Sequence, residues 1–185
     1  DERGAAQGGG AVSPLPGDPR SDTLVNEGRS NQDSISIAQE TPRQAGVIRL
    51  LELSNAYVAS LYPSESNHMV PLNELEEANV SFFVARSGEA ILGCAALVES
   101  ADGSGEIKRM FMDEGARGLR LGKHLLEALE QMALQRDISV IRLETGIYQP
   151  EAIGLYRRAG YREIPPFGDY KPDPLSVFME KRMVR

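Results

Sequence analysis

The chain of 185 residues is 41% hydrophobic and 25% charged, enough to bury one sizeable core in an ordinary soluble domain. Its formal net charge of −7 supplies no basic field to attract a polyanion, which argues against nucleic-acid binding, and no apolar run is long enough to span a membrane. One cysteine and two histidines exclude an intrachain disulfide and a zinc site of the usual Cys/His type, so no metal is expected and a reducing, cytoplasmic setting is the default.

Residues 1–34 carry Gly8-Gly9-Gly10, Pro14, Pro16, Gly17 and Pro19 with almost no apolar periodicity, and predict a flexible extension before a folded domain over 35–185. No secretory pattern is visible there. Ile35-Ser36-Ile37-Ala38 alternates as a short strand. Thr41-Pro42 then signals a helix start. Val47, Leu50, Leu51, Leu53, Tyr57, Val58 and Leu61 recur at helical spacing to about Tyr62, which predicts one core face. A shorter helical piece is expected over 72–77. Ser81-Phe82-Phe83-Val84-Ala85 and the apolar run from Ala90 to Val98, joined by Ser87-Gly88-Glu89, read as an antiparallel hairpin. A strand over 106–113 leads into an amphipathic helix over 119–136, with Leu121, Leu125, Leu129 and Met132 on one side and Lys123, Glu127, Glu130 and Gln131 on the other. Strand, helix, strand and strand follow over about 139–145, 150–159, 161–165 and 175–182.

The segment Met110-Phe111-Met112-Asp113-Glu114-Gly115-Ala116-Arg117-Gly118-Leu119-Arg120-Leu121-Gly122-Lys123 is the most informative: a strand feeds a glycine-containing turn that opens directly into a helix. The first N–H groups of such a helix have no intrahelical acceptor, its dipole adds partial positive charge, and glycines let phosphate oxygens approach the backbone. Arg117, Arg120 and Lys123 add full charges against the acidic background. The P-loop ending Gly-Lys-Ser/Thr and the spacing GxGxxG are both absent. A plain helix start, with Gly118 and Gly122 serving only packing, is the alternative.

Arg117-Gly118-Leu119-Arg120-Leu121-Gly122 resembles motif A of the GNAT superfamily, with Arg120 where a middle glycine often stands. Gln149-Pro150-Glu151-Ala152-Ile153-Gly154-Leu155-Tyr156-Arg157-Arg158-Ala159-Gly160-Tyr161 is similar to the family's motif B, with Gln149 in place of the usual Asn. The resemblance covers about 35–183. It implies an α/β fold with a mixed, mostly antiparallel sheet of six to seven strands flanked by about four helices. It also implies acetyl-CoA as cosubstrate, a primary amine as acceptor on a small molecule or a protein, and direct attack in a ternary complex. Homodimer formation rests on the resemblance alone.

The same resemblance implies that two central strands splay apart. Backbone groups of Met110, Phe111 and Met112 would then hold pantetheine and the thioester, with Arg117 to Lys123 on the pyrophosphate and Gln149 and Tyr156 beside the cofactor. Tyr156 matches the family's frequent general acid; alternatively its ring packs on the core face shared by Ala152, Leu155 and Ala159. Glu106 matches a glutamate used as base by some protein-lysine acetyltransferases, and strand alternation puts it on the face of Met110 and Met112. Glu144 competes for the role, and either carboxylate can instead pair with Lys108, Arg109 or Arg142. Phe167 and Tyr170, in a proline-rich connection, are expected to line the acceptor pocket with the piece over 72–79. His68 and His124 receive no role, and Cys94 reads as a buried small hydrophobe. A non-catalytic acyl-CoA-binding regulatory or interaction domain is the rival reading. It would keep Gly118 and Gly122 without needing Tyr156 or Glu106.

Overall fold

The computed structural model describes residues 34–184; apart from Ser34, the extension expected over 1–34 lies outside them. Seven strands make one sheet: β1 (Ile35–Gln39), β2 (Val80–Ser87), β3 (Ala90–Glu99), β4 (Gly105–Met112), β5 (Val140–Gly146), β6 (Arg162–Ile164) and β7 (Ser176–Arg182). Their order across the sheet is β1-β2-β3-β4-β5-β7-β6. Every neighbouring pair is antiparallel except β4 and β5, which are joined by the helical crossover that a parallel pair requires.

The helices are α1 (Ala45–Leu61), α2 (Leu121–Gln135) and α3 (Pro150–Arg158). The sheet separates two apolar layers. On one face, Leu121, Leu125, Leu126 and Leu129 of α2 pack with Ile107, Leu143, Tyr156 and Met179. On the other, Val47, Leu50 and Leu51 of α1 pack with Phe82, Val84, Cys94 and Ala96. The alternation read from β2 and β3 thus serves both faces, one layer for each parity.

Three local expectations change. Helix α1 begins at Ala45 rather than at Thr41-Pro42, because the Thr41 hydroxyl accepts the N–H of Arg43 and Pro42 accepts that of Gln44, closing a separate turn first. Leu53 and Tyr57, expected on the core face of α1, are 44% and 46% exposed. The piece over 72–77 is a single 3₁₀ turn (Glu74–Glu76) rather than a fourth α-helix, and it plugs Leu75 into the α1 layer.

The feature that shapes the centre of the molecule is a bulge in β4. Cys94 faces Phe111 and Ala96 faces Lys108, so Ala95 opposes both Arg109 and Met110. Arg109 takes the left-handed conformation (φ 54) that lets the extra residue fit. Beyond this point alternation resets. Glu106 and Lys108 leave the face opposite Ile107, while Met110 and Met112 pack with the α2 layer. Glu106 therefore does not share a face with Met110 and Met112, contrary to simple alternation. The parallel ladder between β4 and β5 also stops early, at Ile107 and Leu143.

The layer under α2 should dominate stability. Leu129 is fully buried, and Leu129→Ala is expected to cost about 2–5 kcal/mol in urea denaturation, whereas Leu53→Ala on the exposed side of α1 should cost less than about 1 kcal/mol.

Candidate active site

Past Ile107 and Leu143 the two central strands diverge, and a cleft of about 120 Å³ opens between them. Lys108 to Phe111 line one wall and Glu144 to Gly146 the other; Gln149 and Tyr156 reach it from the α3 side, as do Tyr57, Val58 and Tyr62 from α1 and its C-terminal end. The geometry fits the expected splay. Main-chain groups on the β5 side of β4 lack a strand partner beyond Ile107, so they are available to a ligand.

The loop after β4 ends in a helix start suited to an anion. Asp113 accepts the N–H of Gly115 and fixes the turn, which then passes through Gly118 at φ 85. A Cβ at Gly118 would meet nothing within 4 Å, so the glycine answers to backbone conformation and the space beside it is open. Arg120 caps α2 at φ 56, a conformation glycine adopts freely, and its side chain is exposed. No side chain caps the first turn, so the amides of Leu121, Gly122 and Lys123 keep the orphan N–H groups of a helix start, with Arg117 and Lys123 exposed nearby. Gly122 answers in part to packing, since a Cβ there would lie 3.0 Å from Leu155 and 3.1 Å from Met112. These features fit a phosphate-bearing cofactor.

Tyr156 is buried, with its hydroxyl 3.4 Å from the Met110 sulfur and its ring edge-on to Tyr161 at 5.7 Å. Burial, and then the charge of Glu144, push its phenol well above the usual range, so it holds its proton at neutral pH. That suits a donor. Gln149 precedes Pro150 at the start of α3, and its side-chain oxygen accepts the Gly146 N–H at 3.3 Å, tying the end of β5 to the helix.

The two carboxylates differ. Glu106 is engaged: Lys108 lies 2.9 Å from its Oε1, and the Tyr170 hydroxyl donates to the same oxygen at 2.6 Å. Lys108 also donates to Tyr170, whose phenol is raised by burial and then by the Glu106 charge. Glu144 accepts a hydrogen bond from Ser176 at 2.8 Å. Burial raises its pKa, a shift that the Ser176 bond and the neighbouring His68 and Lys108 only partly oppose. Ile141 and Leu143 belong to the α2 layer, so Glu144, between them and Thr145 in parity, points to the α1 face.

Phe167 and Tyr170 stack edge-on with Phe178 and line a second, broader cavity of about 900 Å³, which shares His68 and Lys108 with the cleft. The 72–79 piece is not on that wall. Its Leu75 is committed to the core beneath α1. Arg142 bonds Glu180 and Asp102 rather than Glu106 or Glu144, and the buried Cys94 thiol is pushed up to about 12, as an inert hydrophobe would be. The reading from sequence missed Tyr62: its hydroxyl accepts the Tyr148 N–H at 3.0 Å and lies 1.9 Å from where a Cβ on Gly146 would be, so the last residue of the α1 segment closes over the end of β5. Only its place at a helix end hinted at it.

A carboxyl with a raised pKa binds its proton more tightly when folded than when unfolded. Its ionisation therefore removes stability as pH rises from about 4.5 through the raised value. Glu144→Gln is accordingly expected to gain stability relative to the wild type as pH rises above about 4.5 in denaturant titrations, and an unchanged difference would contradict the burial assigned to Glu144.

Comparison with known proteins agrees with this architecture. A family model described as the acetyltransferase (GNAT) family matches residues 37–161. IAA acetyltransferase of Azospirillum brasilense is 44% identical over 149 residues, covering 80% of this chain and 97% of the relative. The crystal structure of a Klebsiella pneumoniae protein provisionally named an acyl-CoA N-acyltransferase is 41% identical, with a TM-score of 0.69 over 81% of this chain and 98% of that one. The PaiA N-acetyltransferase of Thermoplasma acidophilum, solved with coenzyme A, shares the fold at a TM-score of 0.65 and 20% identity, over 80% and 99% of the two chains. With its splayed strands, uncapped helix start and these relatives, the chain belongs to the GNAT family of acetyltransferases.

Proposed function

We propose that this chain transfers the acetyl group of acetyl-CoA to a primary amine by direct attack, with both substrates held at once in the cleft between β4 and β5. The observation that carries this reading is that two ionisable groups line one gap from different elements: the Tyr156 phenol, which holds its proton, from α3, and the Glu144 carboxylate, a weaker acid than usual because of its burial, from β5. Bound acetyl-CoA supplies the activated acyl carbon and a thiolate leaving group. Arg117, Lys123 and the amides of Leu121 and Gly122 hold its phosphates, Gly118 admits them, and Arg120 contributes backbone with its side chain outward. Main chain of Met110, Phe111 and Met112 orients the pantetheine arm and the carbonyl, with Leu119 and Gln149 flanking it.

A protonated amine cannot attack, because its lone pair is occupied; an alkyl ammonium near pKa ~10.4 needs a base at neutral pH. Glu144 accepts that proton. It is the better base than Glu106, since Glu106 already shares its Oε1 with Lys108 and Tyr170 and so serves to brace the acceptor side. Tyr156 donates its proton to sulfur as the C–S bond breaks. Phe167 and Tyr170 line the broader cavity through which the acceptor enters.

Calorimetric titration tests the cofactor site. Acetyl-CoA should bind the wild type with micromolar affinity and bind Gly118→Glu at least about tenfold more weakly, since the variant adds a like charge and an unfavourable φ. With the best acceptor from a panel of primary amines, Tyr156→Phe should lower kcat on the order of 10²-fold and leave acetyl-CoA affinity near the wild-type value. In Glu144→Gln the acidic limb of the kcat/KM profile should disappear. Binding of acetyl-CoA without turnover of any amine would favour the non-catalytic alternative.

A further inference from the structure

The cleft holds one cation that no carboxylate matches. Apart from tyrosines, the ionisable residues on the cleft wall are Lys108, Arg109, His68 and Glu144. Lys108 is neutralised by Glu106. Arg109 is not. Its Nη1 donates to Asn55 Oδ1 at 2.7 Å and its Nη2 to the Leu51 carbonyl at 3.1 Å, both neutral acceptors, and its buried Nε has no partner. No carboxylate lies within ion-pair distance of it among the described residues. Burial lowers its pKa, as for a cation whose desolvation is only partly offset.

The bulge sets where this charge lies. The left-handed turn at Arg109 sends its side chain toward α1, the same face on which Glu144 leaves β5. A carboxylate acceptor and a guanidinium donor thus flank one gap, one from each diverging strand. A guanidinium fork is the natural complement of a planar carboxylate, and a tie between β4 and α1 alone would not need a charge. Tyr57 and Val58 of α1 add an apolar wall beside it.

We propose that the acceptor is an amine bearing a carboxylate close by, an α-amino acid or near analogue, whose carboxylate is held by Arg109 while Glu144 faces its amine. This rests on the acetyl-transfer reading above. Glu144 takes the first proton from the ammonium and releases it to solvent; the free amine nitrogen then bonds to the acyl carbon, the C–S bond breaks, the second nitrogen proton passes to Glu144, and the thiolate takes the proton of Tyr156. Solvent then returns a proton from Glu144 to Tyr156. The products are an N-acetyl amino acid and free CoA thiol.

The probes are L-phenylalanine, phenethylamine, which lacks only the carboxylate, and spermidine, a polycation; acetylation is read by thiol release and product mass. We expect kcat/KM for L-phenylalanine to exceed that for phenethylamine by on the order of tenfold or more. Arg109→Gln should bring that ratio close to one, and Arg109→Lys should keep part of it. A preference for phenethylamine or spermidine would overturn the proposal, as would an unchanged ratio in an Arg109→Gln protein that still folds and binds acetyl-CoA. A second measurement does not depend on the variant: 3-phenylpropionate, a carboxylate without an amine, should bind the CoA-loaded wild type in calorimetry, and failure to bind would overturn the proposal. Binding of 3-phenylpropionate with no acetylation of any amine would instead sustain the carboxylate site and overturn the transfer reading. Acetylation of phenethylamine without carboxylate preference would do the reverse.

Discussion

Everything specific to this molecule depends on the interruption of hydrogen bonding between β4 and β5. Two adjacent parallel strands in the middle of a sheet would ordinarily stay paired to their ends, each buried by helices above and below. Here the extra residue at Arg109 rotates β4 after three paired positions, and pairing ends. The outer ladders hold the two halves in place: β3 stays with β4, and β7 pairs with β5 over its whole length. The gap is therefore rigidly framed, a property a binding site needs more than it needs depth.

The frame also sorts the ionisable groups. Glu106 precedes the bulge and meets Lys108 on its own strand, so its charge is matched. Glu144 stands where β5 has lost its neighbour. It keeps a hydroxyl contact from Ser176 and the more distant influence of Lys108 and His68, and its field reaches Tyr62, Tyr156 and Tyr170. One buried carboxylate thus raises the proton affinity of three phenols around it, and burial raises its own. Position along the strand relative to the bulge separates a structural ion pair from a titratable site.

How much of this was legible in the sequence follows from how local each feature is. The loop from Arg117 to Lys123 was readable because a helix start and its orphan amides are set by a few consecutive residues. Even Arg120 in a glycine-like place has a local cause, the left-handed cap at φ 56. The succession of strands and helices along the chain, and the helix of motif B, were readable by resemblance and periodicity. The bulge was not: whether β4 carries an extra residue depends on its register against Ala95, a relation between two strands that alternation within one cannot reveal. Hence Glu106 was assigned the wrong face, and Arg109 was weighed only as an ion partner. Leu53 and Tyr57 matched a helical stripe wider than the face of α1 that is buried, which is Val47, Leu50, Leu51 and Ser54, and Tyr62 gains its role only by meeting Gly146 across the fold.

The broken ladder leaves two strand edges facing one another inside the protein rather than at its rim. Exposed edges invite further strands, and proteins guard their outer edges for that reason. The inner edges here are reached only through the cleft, where α1 and α3 residues crowd the approach. A slender chain with its own amide groups can lie between them, acting as a surrogate strand that completes the sheet. Any ligand that bonds both inner edges binds only the folded chain, and so stabilises it by mass action.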